Sequence, residues 1–86
     1  MATFHYSVSV MPREGILDPQ GRAVEAALPQ LDAVSVSHVR VGRRVELSVE
    51  AADEMGARAV VERLAADLLA NPLVEDWSIA LVEAGR

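Results

Sequence analysis

The sequence contains no cysteine, so disulfide bonds, thiolate nucleophiles and cysteine-ligated metal sites are all excluded. No run of residues approaches the roughly 18 apolar positions that a membrane-spanning helix needs. The first residues, MATFHYSVSV, lack the basic start and the long apolar stretch of a secretory signal. We therefore predict a cytoplasmic protein that has no membrane partner.

Aromatic side chains are scarce, because Phe4, Tyr6 and Trp77 are the only three in the chain. The hydrophobic core must then be largely aliphatic. Lysine is absent, and thirteen acidic residues against eight arginines give a net charge of −5. Nucleic acids and anionic membranes attract proteins through clustered cations that displace counterions, so we predict that neither is a partner.

The length of 86 residues corresponds to one domain, which we place over residues 1–86. A chain of this size buries only about 60–65% of the surface that its unfolded form exposes. Its stability as a monomer should be modest, and association with other chains would add buried apolar surface.

The first part of the chain predicts a strand followed by a helix. Residues 3–11 alternate apolar and polar side chains and end before Pro12, which is typical of a strand. After a short loop, Asp18 is a good N-cap and Pro19 suits the first helical position. This helix should close by about residue 30.

Two β-rich segments follow the first helix. Residues 34–41, VSVSHVRV, predict a second strand, although their alternation slips, which indicates a bulge or a strand covered on both faces. Residues 45–49 alternate again and predict a third strand. Gly42-Arg43 lies between them and suits a two-residue hairpin turn.

The last part of the chain predicts a second helix and a final strand. Asp53 is a plausible N-cap, and Asn71-Pro72 ends the helix because the residue before proline avoids the helical region. The apolar stripe of this helix is predicted to be Ala57, Val60, Val61, Leu64 and Leu68. The final strand should run from about residue 74 to 82.

The order βαββαβ predicts an α+β fold, the ferredoxin-like sandwich. In this fold a four-stranded antiparallel sheet carries two helices on one face. The final strand has Ile79 and Leu81 on one side and Ala80 and Val82 on the other, so both of its faces are apolar. Exposed apolar patches usually mark interfaces, and we therefore predict self-association, most simply as a homodimer.

The sequence gives no pattern of catalytic or ligand-binding residues. Neither His5 nor His38 lies near a nucleophile motif or has metal-ligand spacing, although the two could face each other across strands. Arg13 is the one candidate anion ligand in the loop before the first helix, where Glu14 and Asp18 would repel a phosphate. We predict no catalytic, cofactor-binding or metal-binding residue in this chain.

Two clusters are candidates for contact with a partner protein. The basic residues Arg40, Arg43 and Arg44 lie around the predicted hairpin tip, where they form either a solvated turn or a cationic knob for an acidic partner surface. The loop before the first helix carries the second cluster, Glu14, Ile16, Leu17 and Asp18. Its apolar side chains could pack under the helix, contact a partner, or do both.

Three segments occur in an order that is specific when they are taken together. They are EGILDPQG over residues 14–21 with Ala27-Leu28, VRVGR over residues 39–43 with Val45-Glu46-Leu47, and LLANPLVEDW over residues 68–77. These segments resemble the LDPQG, VR-x-GK and LLANP signatures of the PurS family, the small subunit of bacterial and archaeal phosphoribosylformylglycinamidine synthase. The resemblance spans nearly the whole chain.

The resemblance implies a role in purine biosynthesis. The parent enzyme, an ATP-dependent carbon–nitrogen ligase, converts formylglycinamide ribonucleotide to its amidine with glutamine as amide donor. A large synthetase subunit is implied to hold ATP and magnesium, and a glutaminase subunit to release ammonia. The PurS-like homodimer, with two copies of the chain per complex, is implied to join these subunits and help enclose the ammonia path without catalytic residues of its own.

This sequence departs from the family pattern at three positions. Arg43 stands where lysine is usual, Trp77 replaces a smaller aromatic residue, and Asp32 stands where glycine is common. Two other interpretations stay open. One is a stand-alone regulatory or ligand-binding dimer of the same fold, and the other is a small hydrolase that uses the Arg13 loop.

Overall fold

The structure is a computed structural model that describes residues 1–32 and 35–84. The strands are β1 (Ala2–Pro12), β2 (Arg43–Ala51) and β3 (Glu75–Ala84), and the helices are α1 (Pro19–Ala27) and α2 (Glu54–Leu64). A 3-10 helix, Leu28–Leu31, continues α1, and a π-helical turn, Ala65–Leu69, continues α2. No helix in these residues is long and apolar enough to cross a membrane.

The three strands form one antiparallel sheet in the order β2-β1-β3. At its centre Val8 pairs with Val45 of β2 and with Ile79 of β3. The alternation predicted for the first strand therefore sets the two faces of the whole sheet. The face that carries Phe4, Tyr6, Val8 and Val10 is the buried one, and α2 packs on it.

The prediction of a fourth strand over residues 34–41 is wrong for the residues that the structure describes. Residue 34 lies outside them, and residues 35–42 have no strand. His38 has a φ of 57°, a left-handed conformation that is incompatible with an extended strand. The two-residue hairpin at Gly42-Arg43 is consequently also absent, and the slipped alternation belongs to a segment without regular secondary structure.

Helix α2 begins as predicted, because the Asp53 side chain accepts a hydrogen bond of 2.8 Å from the N–H of Gly56. Its buried stripe is narrower than predicted. Ala57, Val61 and Ala65 are fully buried, whereas Val60 is 46% exposed. Leu68 is also exposed and lies within the π-helical turn, where the period differs from that of the α-helix that the prediction assumed.

Helix α1 does not lie over the sheet, which corrects the prediction of two helices on one face. Its main contact is with the 3-10 helix that follows it, and Gly21 is its only buried residue. The 3-10 helix ends at Asp32, whose φ of 56° is the left-handed value that glycine favours. Residues 13–32 and 35–42 thus do not belong to the layer that covers the sheet. We call these two segments together the α1 arm.

The dimensions of the molecule reflect the α1 arm. The Cα atoms extend over 52 × 27 × 14 Å with a radius of gyration of 16.6 Å. A compact domain of this length would have a radius of gyration of about 12 Å. The chain is therefore much more extended than a domain that buries all of its elements against one core.

The open face of the sheet, opposite α2, is mostly polar, so the prediction that both faces are apolar holds only for part of β3. This face carries the side chains His5, Ser7, Ser9, Arg44, Glu46, Ser48 and Ser78. Ala80, which pairs with Ser7, and Met11, which pairs with Asp76, are apolar residues on this face. The large exposed apolar side chains lie mainly elsewhere, on the α1 arm, on α2 and in the turns that follow α2.

Candidate partner-contact site

Asp18 joins the two segments of the α1 arm at its base, where the chain leaves β1 and returns to the sheet. One carboxylate oxygen accepts the N–H of Gly21 at 3.0 Å and so caps α1, as the sequence predicts. The other accepts the N–H of Val41 at 2.8 Å, where the chain returns to the sheet. The N–H groups of Gly21 and Val41 stabilise the carboxylate and hold the pKa of Asp18 below its ordinary value.

Two glycines allow the backbone segments at the base to approach closely. A Cβ on Gly21 would lie 2.5 Å from the carbonyl oxygen of Val39 and the same distance from the Asp18 carboxylate. A Cβ on Gly42 would overlap the carbonyl oxygen of Val10 and the sulfur of Met11. Residues 39–42, which we call the returning segment, thus pack directly on both α1 and β1.

Arg40 connects the returning segment to the loop before α1. Its guanidinium donates a hydrogen bond to the carbonyl oxygen of Pro12 and lies 3.8 Å from a carboxylate oxygen of Glu14. The Glu14 side chain is 91% exposed, so this ion pair contributes little to stability. Arg40 and Glu14, from the two predicted clusters, are therefore neighbours at the base of the arm.

Arg43 forms a bidentate ion pair with Glu75, with nitrogen–oxygen distances of 2.7 and 3.0 Å. Its guanidinium also donates to the carbonyl oxygen of Leu69. The Arg43 hydrogen bonds, followed by the backbone N–H of Asn71, hold the pKa of Glu75 below its ordinary value. Arg43 therefore ties the start of β2 to the start of β3.

Arg44 lies on the open face of the sheet, 3.0 Å from a carboxylate oxygen of Glu46. Both side chains are more than half exposed, and the pair is a surface one. Arg40, Arg43 and Arg44 therefore each face a different carboxylate. The predicted hairpin tip is absent, and none of the three is an unpaired cation.

A cleft of 520 Å³ lies between the loop before α1 and the returning segment. Ile16 and Leu17 line it and are 39% and 66% exposed, so neither is packed fully under α1. A second cleft of 630 Å³ lies on the other side of Leu17 and reaches Val41 and Glu75. Leu17 thus stands as an exposed apolar side chain between two depressions.

The two histidines and Arg13 each have a separate partner in the residues that the structure describes. His5 lies 2.7 Å from the hydroxyl of Ser48, whereas His38 contacts Ser37, so the two histidines do not face each other. No group of three potential metal ligands occurs in residues 1–32 and 35–84. Arg13, the candidate anion ligand, lies 3.2 Å from Asp76 in an ion pair.

Sequence reasoning missed the acidic partners at the start of β3. Glu75 pairs with Arg43 across 32 positions of sequence, and Asp76 pairs with Arg13 across 63. Both carboxylates belong to the LLANPLVEDW segment that carried the family resemblance. That segment indicated that the two carboxylates matter, but only the antiparallel pairing of β1 with both β2 and β3 brings them to the arginines.

Both the sequence and the structure of the chain are similar to those of known proteins. A family model described as PurS, phosphoribosylformylglycinamidine (FGAM) synthase, matches residues 5–83. A PurS subunit of FGAM synthase from Mycobacterium leprae is 43% identical, over 84% of this chain and 87% of that protein. The corresponding subunit from Synechocystis is 39% identical, over 87% of this chain and 75% of that protein.

The solved structures agree with the sequence relatives. A chain of PurLQS from Thermotoga maritima superimposes with a TM-score of 0.87 at 29% identity, over 95% of this chain and 100% of that chain. PurS from Thermus thermophilus gives a TM-score of 0.79 at 36% identity, over 98% of this chain and 96% of that chain. The family model over residues 5–83 and the relatives at 39% and 43% identity show that the chain belongs to the PurS family of FGAM synthase subunits.

Proposed function

We propose that this chain is a non-catalytic assembly subunit of FGAM synthase, which bridges the large synthetase subunit and the glutaminase subunit in purine biosynthesis. The PurLQS structure supports this role, because one of its chains has the fold of this protein over its whole length. In this proposal the chemistry belongs to the partners. The large subunit holds ATP and magnesium, and the bridging chain helps enclose the path of ammonia between the two active sites in the cytoplasm.

The observation that carries the proposal is the unburied α1 arm. Val24 and Leu31 on the arm are 43% and 75% exposed, although a folded chain normally buries the apolar stripe of a helix. The exposed surface of the chain, 6064 Å², exceeds the roughly 4,900 Å² expected for a compact monomer of this mass. Such a chain gains its missing packing from other chains, and we propose that it does so as a homodimer, which places two copies of the chain in each complex.

The clefts beside the base of the arm are the proposed contact with the larger subunits. Ile16 and Leu17 supply exposed apolar surface there, and Glu14 and Arg40 border it with charge. Arg44 extends the proposed surface onto the open face of the sheet. Asp18 and Arg43 act indirectly in this proposal, because their side chains are engaged within the chain.

The test is co-expression of the tagged full-length chain with the large synthetase and glutaminase subunits of its host. Both should co-purify with the tagged chain in the presence of nucleotide and glutamine, and glutamine-dependent FGAM formation should fall at least tenfold when this chain is omitted. Full glutamine-dependent activity of the two larger subunits alone would contradict the proposal.

A variant pair tests the contact surface. Leu17→Asp should weaken co-purification at least tenfold, because it places a charge in a buried apolar contact. Met55→Asp is the matched control, since Met55 is 82% exposed and lies in the first turn of α2. Arg44→Ser tests the charged border separately. Equal retention of the partners by Leu17→Asp and Met55→Asp would exclude this surface.

A further inference from the structure

The 520 Å³ cleft beside the base of the α1 arm is lined by three arginines. Arg13 follows β1, Arg22 belongs to α1 and Arg40 to the returning segment. The cleft thus holds three of the eight arginines of the chain, but only two of the thirteen acidic residues, Glu14 and Asp18. A chain whose net charge is −5 therefore presents an excess of positive charge at this place, which we call the arginine cleft.

The three guanidinium groups keep hydrogen-bond donors for a ligand. Arg22 makes no ion pair within the part of the chain that the structure describes. Arg13 approaches Asp76 through Nε, at 3.2 Å. Nη1 of Arg40 lies 3.8 Å from a carboxylate oxygen of Glu14, which is beyond hydrogen-bond distance. Because a guanidinium carries five N–H donors, these contacts leave most of the donors in the cleft available to an anion.

The two carboxylates in the cleft limit the charge of the anion that it can accept. Both oxygens of Asp18 are occupied, one by the N–H of Gly21 and the other by the N–H of Val41. Glu14 is 91% exposed and pairs only weakly with Arg40, so it can turn into solvent when another carboxylate approaches. Asp18 stays in place and would repel a doubly charged phosphate more strongly than a singly charged carboxylate. The cleft therefore suits one carboxylate.

The apolar side of the cleft favours a protein segment over a small ion. Ile16 and Leu17 line the cleft and are 39% and 66% exposed. A small ion would leave this apolar surface in water, whereas a segment with an acidic and an apolar side chain would use both parts of the cleft. Arginine beside an apolar contact is typical of protein interfaces, in which arginine is enriched.

We infer that the arginine cleft receives an acidic segment of one of the larger subunits. An aspartate or glutamate of that segment pairs with Arg22 and Arg40, and a neighbouring apolar side chain packs on Leu17. The inference rests on the bridging role of the proposed function and specifies the chemistry of the partner surface. It does not involve the contact between two copies of this chain. The acidic residues elsewhere on the chain would repel the same segment, so charge also directs it to this cleft.

The absence of lysine from the chain permits a direct test. Arg22→Lys keeps the positive charge and gives the chain a single side-chain amine, which a carbodiimide joins to a carboxylate only where the two groups are in contact. In the complex with the synthetase and glutaminase subunits, we expect a covalent product that joins this chain to an acidic residue of one larger subunit. Arg63→Lys is the matched control, because Arg63 is 85% exposed on α2, and it should give little of this product.

Peptide mapping of the product decides between the possible carboxylates. A link from the introduced amine only to Asp18 or Glu25 of the same chain, or to a second copy of the chain, would overturn the inference. Equal yields of the product from Arg22→Lys and Arg63→Lys would also overturn it. Failure of the unaltered chain to retain the larger subunits would instead contradict the proposed function itself.

The affinity for the larger subunits tests the charge separately. Arg22→Glu should weaken their binding to the tagged full-length chain by about tenfold at low salt. The loss should shrink as the salt concentration rises, because salt screens exposed charges. Arg63→Glu makes the same change in net charge and should alter the affinity by less than about twofold. Biolayer interferometry with the purified larger subunits measures both variants, and equal losses would exclude a specific pairing in the cleft.

Two further results would separate this inference from the contact surface as a whole. If Leu17→Asp weakens the complex but Arg22→Glu does not, the surface stands and the acidic segment is wrong. Titration of the unaltered chain alone with inorganic phosphate tests a small anion as the occupant. Saturable phosphate binding that is lost in Arg22→Glu would assign the cleft to such an ion and overturn the inference, whereas absence of binding is the result that we expect.

Discussion

At the scale of single residues, the two helices begin with the same motif in different surroundings. Asp18 caps α1 through Gly21, and Asp53 caps α2 through Gly56, each pair three positions apart. A side chain at Gly56 would meet only the flexible Asp53 carboxylate, at 3.2 Å, and one neighbouring methyl group. A side chain at Gly21 would meet the backbone oxygen of Val39, which cannot move without moving the arm.

We expect Gly21→Ala to destabilise the protein by about 1–3 kcal/mol, the usual cost of an overpacked site. Gly56→Ala should be neutral or stabilise the protein by up to about 1 kcal/mol, because alanine favours the helix more than glycine does. Urea unfolding of both variants measures the difference. Similar stability of the two variants would mean that the returning segment does not lie against α1.

Asp18 and Glu75 should make the protein sensitive to acid. Both carboxyls have a folded-state pKa below the ordinary value, so their contribution to stability is present above the unfolded-state pKa and is lost as the pH falls through the folded-state pKa. The melting temperature should therefore decline below about pH 4. Asp18→Asn and Glu75→Gln should each flatten this decline, and an unchanged profile in both would contradict the assignment.

Tyr6 carries a buried hydroxyl that has no hydrogen-bond partner in the described structure. Its side chain is 1% exposed, and burial raises its pKa. Tyr6→Phe keeps the ring in the core and removes the unpaired group, so we expect it to stabilise the protein by about 1 kcal/mol. Chemical denaturation tests this, and a loss of stability would reveal a partner for the hydroxyl, such as a buried water.

At the scale of secondary-structure elements, helix α2 provides most of the cover on the sheet. Val61 is fully buried, whereas its neighbour Val60 is 46% exposed. We expect Val61→Ala to cost roughly 1–3 kcal/mol in unfolding free energy, because it leaves a cavity under the helix. Val60→Ala is the matched control and should change stability by less than about 0.5 kcal/mol. Equal losses would place both side chains in the core, as the sequence pattern alone suggested.

The elements differ in how well the sequence predicted them. Strand β1 was predicted within about one residue of each end because its alternation is regular and Pro12 stops it. The prediction of a strand over residues 34–41 was wrong because it gave more weight to the valine-rich composition than to the slipped alternation. Its backbone N–H groups at Val39 and Val41 bond to the side chains of Glu25 and Asp18 instead of to a neighbouring strand.

At the scale of the whole molecule, the extended shape makes stability depend on association. A homodimer that has no stable monomer unfolds at a temperature that rises with protein concentration. A hundredfold increase in concentration should stabilise the dimer by about 2.7 kcal/mol and raise its melting temperature by several degrees. Differential scanning calorimetry at two concentrations measures this shift.

Variants on exposed apolar positions provide the control for the concentration series. Leu31→Asp should lower the melting temperature and weaken its concentration dependence, because it places a charge in the proposed interface. Met55→Asp should leave both unchanged. A melting temperature that does not vary with concentration in the unaltered protein would indicate a stable monomer and contradict the homodimer.

The sequence by itself determined the order of the helices, three strand positions, both helix caps and the family. Those features depend on local periodicity, on capping residues and on motifs that a single segment carries. Only the tertiary structure decided that Glu75 pairs with Arg43, that residues 35–42 return to β1 without forming a strand, and that α1 does not cover its own sheet. These depend on contacts between residues far apart in sequence, such as Asp18 with Val41 and Gly42 with Val10, which no local pattern encodes.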